Sequence, residues 1–76
     1  MRQLKNLRRA AGITQFELER SARVPRAKIS LAESGHLVLN ERETRLVYRV
    51  LVREMRKRAT RLAEALERAE GLQALA

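Results

Sequence analysis

Between Asn40 and Gly71 the chain carries neither glycine nor proline, thirty residues in a row over 41–70. Those two residues are the strongest local breakers of regular structure, so the run predicts one long helix. At ~1.5 Å per residue it would span roughly 45 Å, about the width of a domain of this size. It should therefore project beyond its own core, unless it breaks near Lys57-Arg58. The whole chain has only three glycines, one proline, one phenylalanine and one tyrosine. It is otherwise rich in Leu, Ala, Arg and Glu, which are good helix formers, so the expected class is all-α.

Three shorter helices precede the long one. Leu4, Leu7 and Ala11 lie at helical spacing and Gly12 follows as a stop, which predicts a helix over 2–11. Thr14 and Glu17 have the spacing of a capping box, opening a helix over 15–22 with Phe16, Leu18 and Ala22 available inward. Val24-Pro25 is an extended dipeptide, and proline suits a first helical turn. A third helix follows over 25–33, with Ile29 and Ala32 on one face and Ser34-Gly35 as its C-terminal stop. In the apolar loop 36–39, Leu37 or Leu39 is expected to close the core. Asn40 caps the fourth helix, and Glu43 stands where a capping glutamate belongs.

The long helix has two distinct faces. Thr44, Val47, Tyr48, Leu51, Met55, Ala59, Leu62, Leu66 and Ala69 form one apolar stripe. Its first part can pack on the preceding helices. From Met55 onward it has nothing of its own chain to pack on, so Met55, Ala59, Leu62, Leu66 and Ala69 are the expected contacts with a second copy. On this division, residues 1–53 are the folded head and 54–76 a dimerising extension. Arg42, Arg45, Arg49, Arg53 and Arg56 fall within ~80° of one another on another face. Such a stripe is most simply a wet face, with Arg42 and Arg45 also placed to meet a phosphate backbone or an acidic partner. A chain of 76 residues buries only ~60% of its unfolded surface, which also favours a second copy.

Charge and missing residue types narrow the function. Seventeen Lys and Arg against nine acidic residues leave a net charge of +8, so an anionic partner is the default expectation. With no cysteine and a single histidine, His36, neither a disulfide framework nor a metal centre is expected. There is no aspartate and no glycine-rich phosphate loop, and no nucleophile–base pair suggests an enzyme or a cofactor. No apolar run approaches the ~20 residues of a membrane span, and no signal-peptide core follows the first charges. A cytoplasmic chain without membrane contact is the expectation. An amphipathic membrane helix fits poorly, because the stripe opposite the arginines lacks aromatic anchors.

Two short helices joined by a three-to-four-residue turn, with apolar Leu18, Val24 and Ile29, make a helix-turn-helix over Thr14 to Gly35. The second helix turns Arg26, Lys28 and Ser30 outward, which suits a helix read into a DNA major groove. At this point the chain resembles the lambda-repressor-like, or Cro-like, helix-turn-helix regulators. The likeness rests on LRRAAG in the first helix, on Thr14-Gln15 and Leu18, on Val24 at the turn, on Ile29, and on Glu33 and Gly35 at the exit. It covers residues 4–51.

The resemblance implies an operator-binding homodimer on an inverted repeat of double-stranded DNA. Arg26, Ala27, Lys28, Ser30 and Leu31 would lie along the base-reading side. Arg26 and Lys28 match guanine O6 and N7, and Ala27 a thymine methyl. Thr14 and Gln15 would meet phosphate at a helix N-terminus, and Ser34, His36 and Arg42 would meet it around the following loop. Arg8 and Glu33 would form a partly buried ion pair. Two positions depart from the family pattern. Glu19 stands where an alanine usually lets the two helices touch. Arg23 stands where glycine usually takes a positive φ, at a cost of about 1 kcal/mol. Being four residues apart, Glu19 and Arg23 could pair across the turn. The leading reading is a transcriptional repressor of a phage or bacterial operon, with regulation of its own gene as one role. The alternative is an antitoxin-type module whose long helix binds a partner protein while the helix-turn-helix autoregulates.

Overall fold

The computed structural model describes residues 2–76, with side chains from Gln3 onward. Four α-helices follow in order: α1 (Arg2–Ala11), α2 (Gln15–Ala22), α3 (Arg26–Glu33) and α4 (Glu41–Leu75). Among the described residues there is no strand, and no helix is long and apolar enough to cross a membrane.

Each boundary has a local cause. Gly12, at φ 71°, closes α1 by donating to the Arg9 carbonyl (3.0 Å), while Ile13 N donates to the Arg8 carbonyl (3.3 Å). This is the glycine-stopped turn that satisfies terminal carbonyls. At the start of α2, Thr14 Oγ1 accepts from Glu17 N (3.1 Å) and Glu17 Oε1 accepts from Thr14 N (3.0 Å). Gly35, at φ 82°, ends α3 with His36 N donating to the Leu31 carbonyl (2.8 Å). Asn40 and Glu43 repeat the reciprocal cap for α4, at 2.7 and 3.1 Å. Pro25 is the N-cap residue of α3 rather than its first helical residue, and it brings no side-chain hydrogen bond to that role.

The core is one cluster. Leu4, Leu18, Val24, Ile29, Val47 and Leu51 are fully buried, joined by Ala11, Ala22, Ala32, Leu39 and Val50. Both α1 and α2 lie against α4, and α3 lies against α1 and α2. Leu39 closes the core from the α3–α4 loop, with Leu37 half-buried beside it. Phe16 is the exception to the expected inward set: it is 65% exposed. Leu18 and Ala22 take the buried face of α2, and Phe16 lies on the side where α3 begins.

The fourth helix is unbroken. It passes Lys57-Arg58 without interruption and continues through Gly71 to Leu75, so neither the break nor an end at residue 70 occurs. Its 35 residues account for the 53 Å long axis of a molecule only 19 × 18 Å in section. Met55 is half-buried on its own core, contrary to the expectation that the stripe loses its packing there. The Arg58 guanidinium lies over Gly12, where any Cβ would collide with it. From Arg56 to Ala76 every residue is exposed, because α1–α3 reach no farther.

Candidate nucleic-acid interface

Residues 23–25 join α2 to α3, and one backbone and two side-chain interactions fix the junction. Arg23 takes the left-handed conformation (φ 58°, ψ 39°) while its amide donates to the Glu19 carbonyl. An L-residue there carries a steric penalty that glycine avoids. The Glu19 carboxylate does not pair with Arg23 as expected: its Oε2 accepts from the Arg26 backbone N–H at 2.7 Å. Pro25 cannot cap α3, so a glutamate from the preceding helix does so, and its charge complements the positive end of α3. The Arg26 side chain then lies over the exposed Phe16 ring, its guanidinium carbon 4.6 Å from the centroid, a cation–π distance.

Advancing 100° per residue, α3 buries Ile29, Ala32 and Glu33 and exposes an arc with Ala27 at its centre. Arg26 and Ser30 flank Ala27 on one side, Leu31 and Lys28 on the other. Arg26, Ala27, Lys28 and Leu31 are exposed and Ser30 is half-buried. The two cations mark opposite edges of this arc. Lys28 is turned toward α4, where its Nζ meets Glu43 Oε2 at 2.8 Å. The Lys28 hydrogen bond, helped by the Asn40 amide, holds the Glu43 carboxyl below the usual glutamate range. Thus Arg26, Ala27, Ser30 and Leu31 form one outward surface, and Lys28 is tethered at its rim.

Beneath this surface lies a buried polar network. Arg8 Nε and Nη2 meet Glu33 Oε2 and Oε1 at 2.7 and 3.0 Å, a two-pronged pair whose side chains are 13% and 4% exposed. Arg8 Nη1 also donates to the Ile13 carbonyl (3.0 Å), and Gln15 Nε2 donates to Glu33 Oε1 (3.1 Å). Burial opposes ionisation of Glu33 most strongly. The hydrogen bonds from Arg8 and Gln15, with the charges of Arg8 and Lys5, together outweigh it and lower its pKa. The hydrogen bond to Glu33 raises the Arg8 pKa against the effect of burial. The network ties the end of α1, the start of α2 and the end of α3 into one unit.

That unit floors a shallow recess lined by Lys5, Arg8, Arg9, Gln15, Ser30, Glu33 and Ser34. Gln15 and Ser34, two of the residues the sequence points to, both line it, together with Lys5 and Arg9, which the sequence reading did not single out. The signal for them lies in α1, where they are one turn apart and bracket Arg8. Thr14 is exposed at the start of α2 with its oxygen engaged in the cap. Ser34 Oγ donates to the Leu31 carbonyl (3.0 Å) and pairs with His36 Nδ1 (2.8 Å), which places His36 beside Ser34 on the exposed loop. Arg42 is exposed at the start of α4, and Arg45 pairs there with Glu41 at 3.2 Å. Glu17, Glu19, Glu33 and Glu43 are each held by a backbone amide or a partner cation.

Ala59, Leu62, Leu66 and Ala69 lie bare on α4, Leu62 and Leu66 at 72% and 56% exposure. Among the described residues no cluster of His, Cys, Asp and Glu could hold a metal ion. No family model, curated protein or solved structure matches this chain.

Proposed function

We propose that this protein is a homodimeric, sequence-specific double-stranded-DNA-binding regulator of the lambda-repressor-like type, a repressor working in the cytoplasm. The observation that carries the reading is the outward surface of α3. Glu19 anchors the helix start at Arg26 N, Phe16 braces the Arg26 side chain, and Ala27, Ser30 and Leu31 complete a surface narrow enough for a major groove. Arg26 supplies a guanidinium for guanine O6 and N7, while Ala27 and Leu31 offer apolar contact to thymine methyls. Lys28 joins them by exchanging Glu43 for a base or phosphate. Lys5, Arg9 and the start of α2 at Thr14-Gln15 hold one phosphate run, and Ser34, His36, Arg42 and Arg45 another. Such contacts fix position without reading sequence. The bare stripe from Ala59 to Ala69 pairs two copies, so that two α3 helices address one inverted repeat.

Substitution at Arg26 tests this. Arg26→Ala should weaken binding to the preferred site by about 1–3 kcal/mol while leaving binding to a scrambled duplex nearly unchanged. Equal loss on both duplexes would make Arg26 a phosphate contact and remove the base-reading assignment. The exposed stripe also favours a second reading, in which the C-terminal part of α4 holds a different protein. A chain that is monomeric in isolation would support that alternative.

A further inference from the structure

The bare half of α4 carries its charges in two blocks. Arg56, Lys57, Arg58 and Arg61 fall within residues 56–61, with no acid among them, whereas 64–70 holds Glu64, Glu67 and Glu70 against Arg68 alone. Two copies paired in parallel would lay cationic block on cationic block and acidic on acidic. Reversing one copy lays each acidic block beside the other's cations. The macrodipoles of two aligned helices also oppose favourably in that direction.

We infer that the partner of this stripe is a second copy of the same chain, running antiparallel, with the two-fold axis crossing close to Leu62. This deepens the dimer reading proposed above and rests on it. The stripe of Met55, Ala59, Leu62, Leu66 and Ala69 alternates by four and three residues, the spacing of a helix-pair seam. About an axis at Leu62, Met55 comes level with the second copy's Ala69, and Leu66 lies close to the level of its Ala59. Large side chains then meet small ones, and Leu62 meets itself. On one flank of the seam, Arg56 comes within two residues of the level of the second copy's Glu70.

From Ala59 to Ala69 the face used is exposed, and Met55 at its edge stays half-buried on its own core. By the 3.6-residue period, the seam runs beside the face that Val47, Leu51 and Arg58 turn to the body. The groove on the far side is floored by Tyr48 and Val52 and walled by Arg45, Arg49, Arg53 and Arg56. A second copy presenting the same groove there would set arginine against arginine. The antiparallel register also spaces the heads. Leu51, at the middle of the packed part of α4, lies eleven residues from the axis. The two copies of Leu51 are therefore roughly 33 Å apart along the pair at 1.5 Å per residue. Half-sites one helical turn apart on DNA are separated by ~34–36 Å.

Cross-linking reads the orientation directly, because the native chain has no cysteine. The variants Met55→Cys and Ala69→Cys are mixed and treated with a short bismaleimide. The expected product is the mixed 55–69 adduct, with 69–69 adducts absent, because two Ala69 positions would be about 21 Å apart along the pair. Abundant 69–69 and 55–55 adducts without the mixed product would overturn the antiparallel arrangement while leaving a dimer in place. Light scattering on the unsubstituted protein separates the two levels: a monomeric mass would overturn the homodimer reading itself and this inference with it. Leu62→Glu with Leu66→Glu should retain the helical circular dichroism of the head and weaken dimerisation by about 100-fold or more. An unchanged dimer in that variant would move the interface off this stripe.

Discussion

Replacing Glu33 by alanine removes the carboxylate on which Arg8 and Gln15 converge, and the geometry sets the size of the effect. Arg8 is 13% exposed and Glu33 4%, so the deletion leaves a guanidinium largely out of water. Breaking one side of a buried pair costs roughly 3–5 kcal/mol. Arg8 keeps its bond to the Ile13 carbonyl, which argues for the lower end, about 3 kcal/mol. A chain of this length has a total stability of roughly 4–11 kcal/mol at ~0.05–0.15 kcal/mol per residue. The loss should lower Tm by roughly 12–24 °C, at ~4–8 °C per kcal/mol for a domain of this size. Glu33→Gln keeps an acceptor for Arg8 and should lose less. Urea titration followed by circular dichroism measures both variants, and Arg8→Met with Glu33→Leu tests the pair as a unit: joint replacement should recover much of the loss. The acid side gives a second readout. Glu33 titrates below its ordinary value of about 4.5 in the folded chain, so its contribution is complete above that value and disappears as pH falls through the lower, folded pKa. The wild type should lose stability in that acid window more steeply than Glu33→Gln. A loss under ~1 kcal/mol for Glu33→Ala, with parallel acid profiles, would refute the claim that this network holds the three helices together, since that is the scale of an exposed pair.

Other substitutions probe the junction and the surface it presents. Glu19→Ala should cost ~1 kcal/mol in urea denaturation by removing the cap on α3, and Glu19→Gln less, since it keeps the acceptor. Arg23→Gly should stabilise the chain by roughly 0.5–1 kcal/mol, because residue 23 is left-handed; a destabilised variant would mean that the Arg23 side chain contributes more than its backbone strain costs. Phe16→Ala should leave stability within ~0.5 kcal/mol, as for an exposed site, yet weaken preferred-site binding through a looser Arg26; equal loss on a scrambled duplex would assign Phe16 a different role. A dimer making roughly 6–10 phosphate contacts should lose about three to five decades of DNA affinity between 50 and 200 mM salt, and a flat titration would remove those contacts.

The helix boundaries were legible because each has a stop or start signal whose physics is local. Gly12 and Gly35 supply positive φ, and the Thr14–Glu17 and Asn40–Glu43 boxes satisfy helix-end amides. The single long α4 was legible from the missing breakers, although Gly71 does not end it, since no glycine-type cap forms there. Phe16 was misplaced because it was counted by its apolar character: at ~100° per residue it falls on the side of α2 away from Leu18 and Ala22. The partners of Glu19 and Lys28 were hidden for a different reason. Arg23, four residues on, offered Glu19 a plausible pair and nothing near Lys28 in sequence offered one, but the Arg26 amide and Glu43 are brought to them only when α2, α3 and α4 pack. Lys5 and Arg9 escaped notice because the recess they line is built from three helices at once.

The central claim is that this chain reads DNA sequence as a two-fold pair. Selection from a pool of random duplexes, followed by hydroxyl-radical footprinting of the winning sequence, tests it most directly. The account predicts an enriched inverted repeat, protected on one face of the duplex at two half-sites about one helical turn, or ~34–36 Å, apart. A pool that stays random after selection, or protection spread evenly along the duplex, would contradict it.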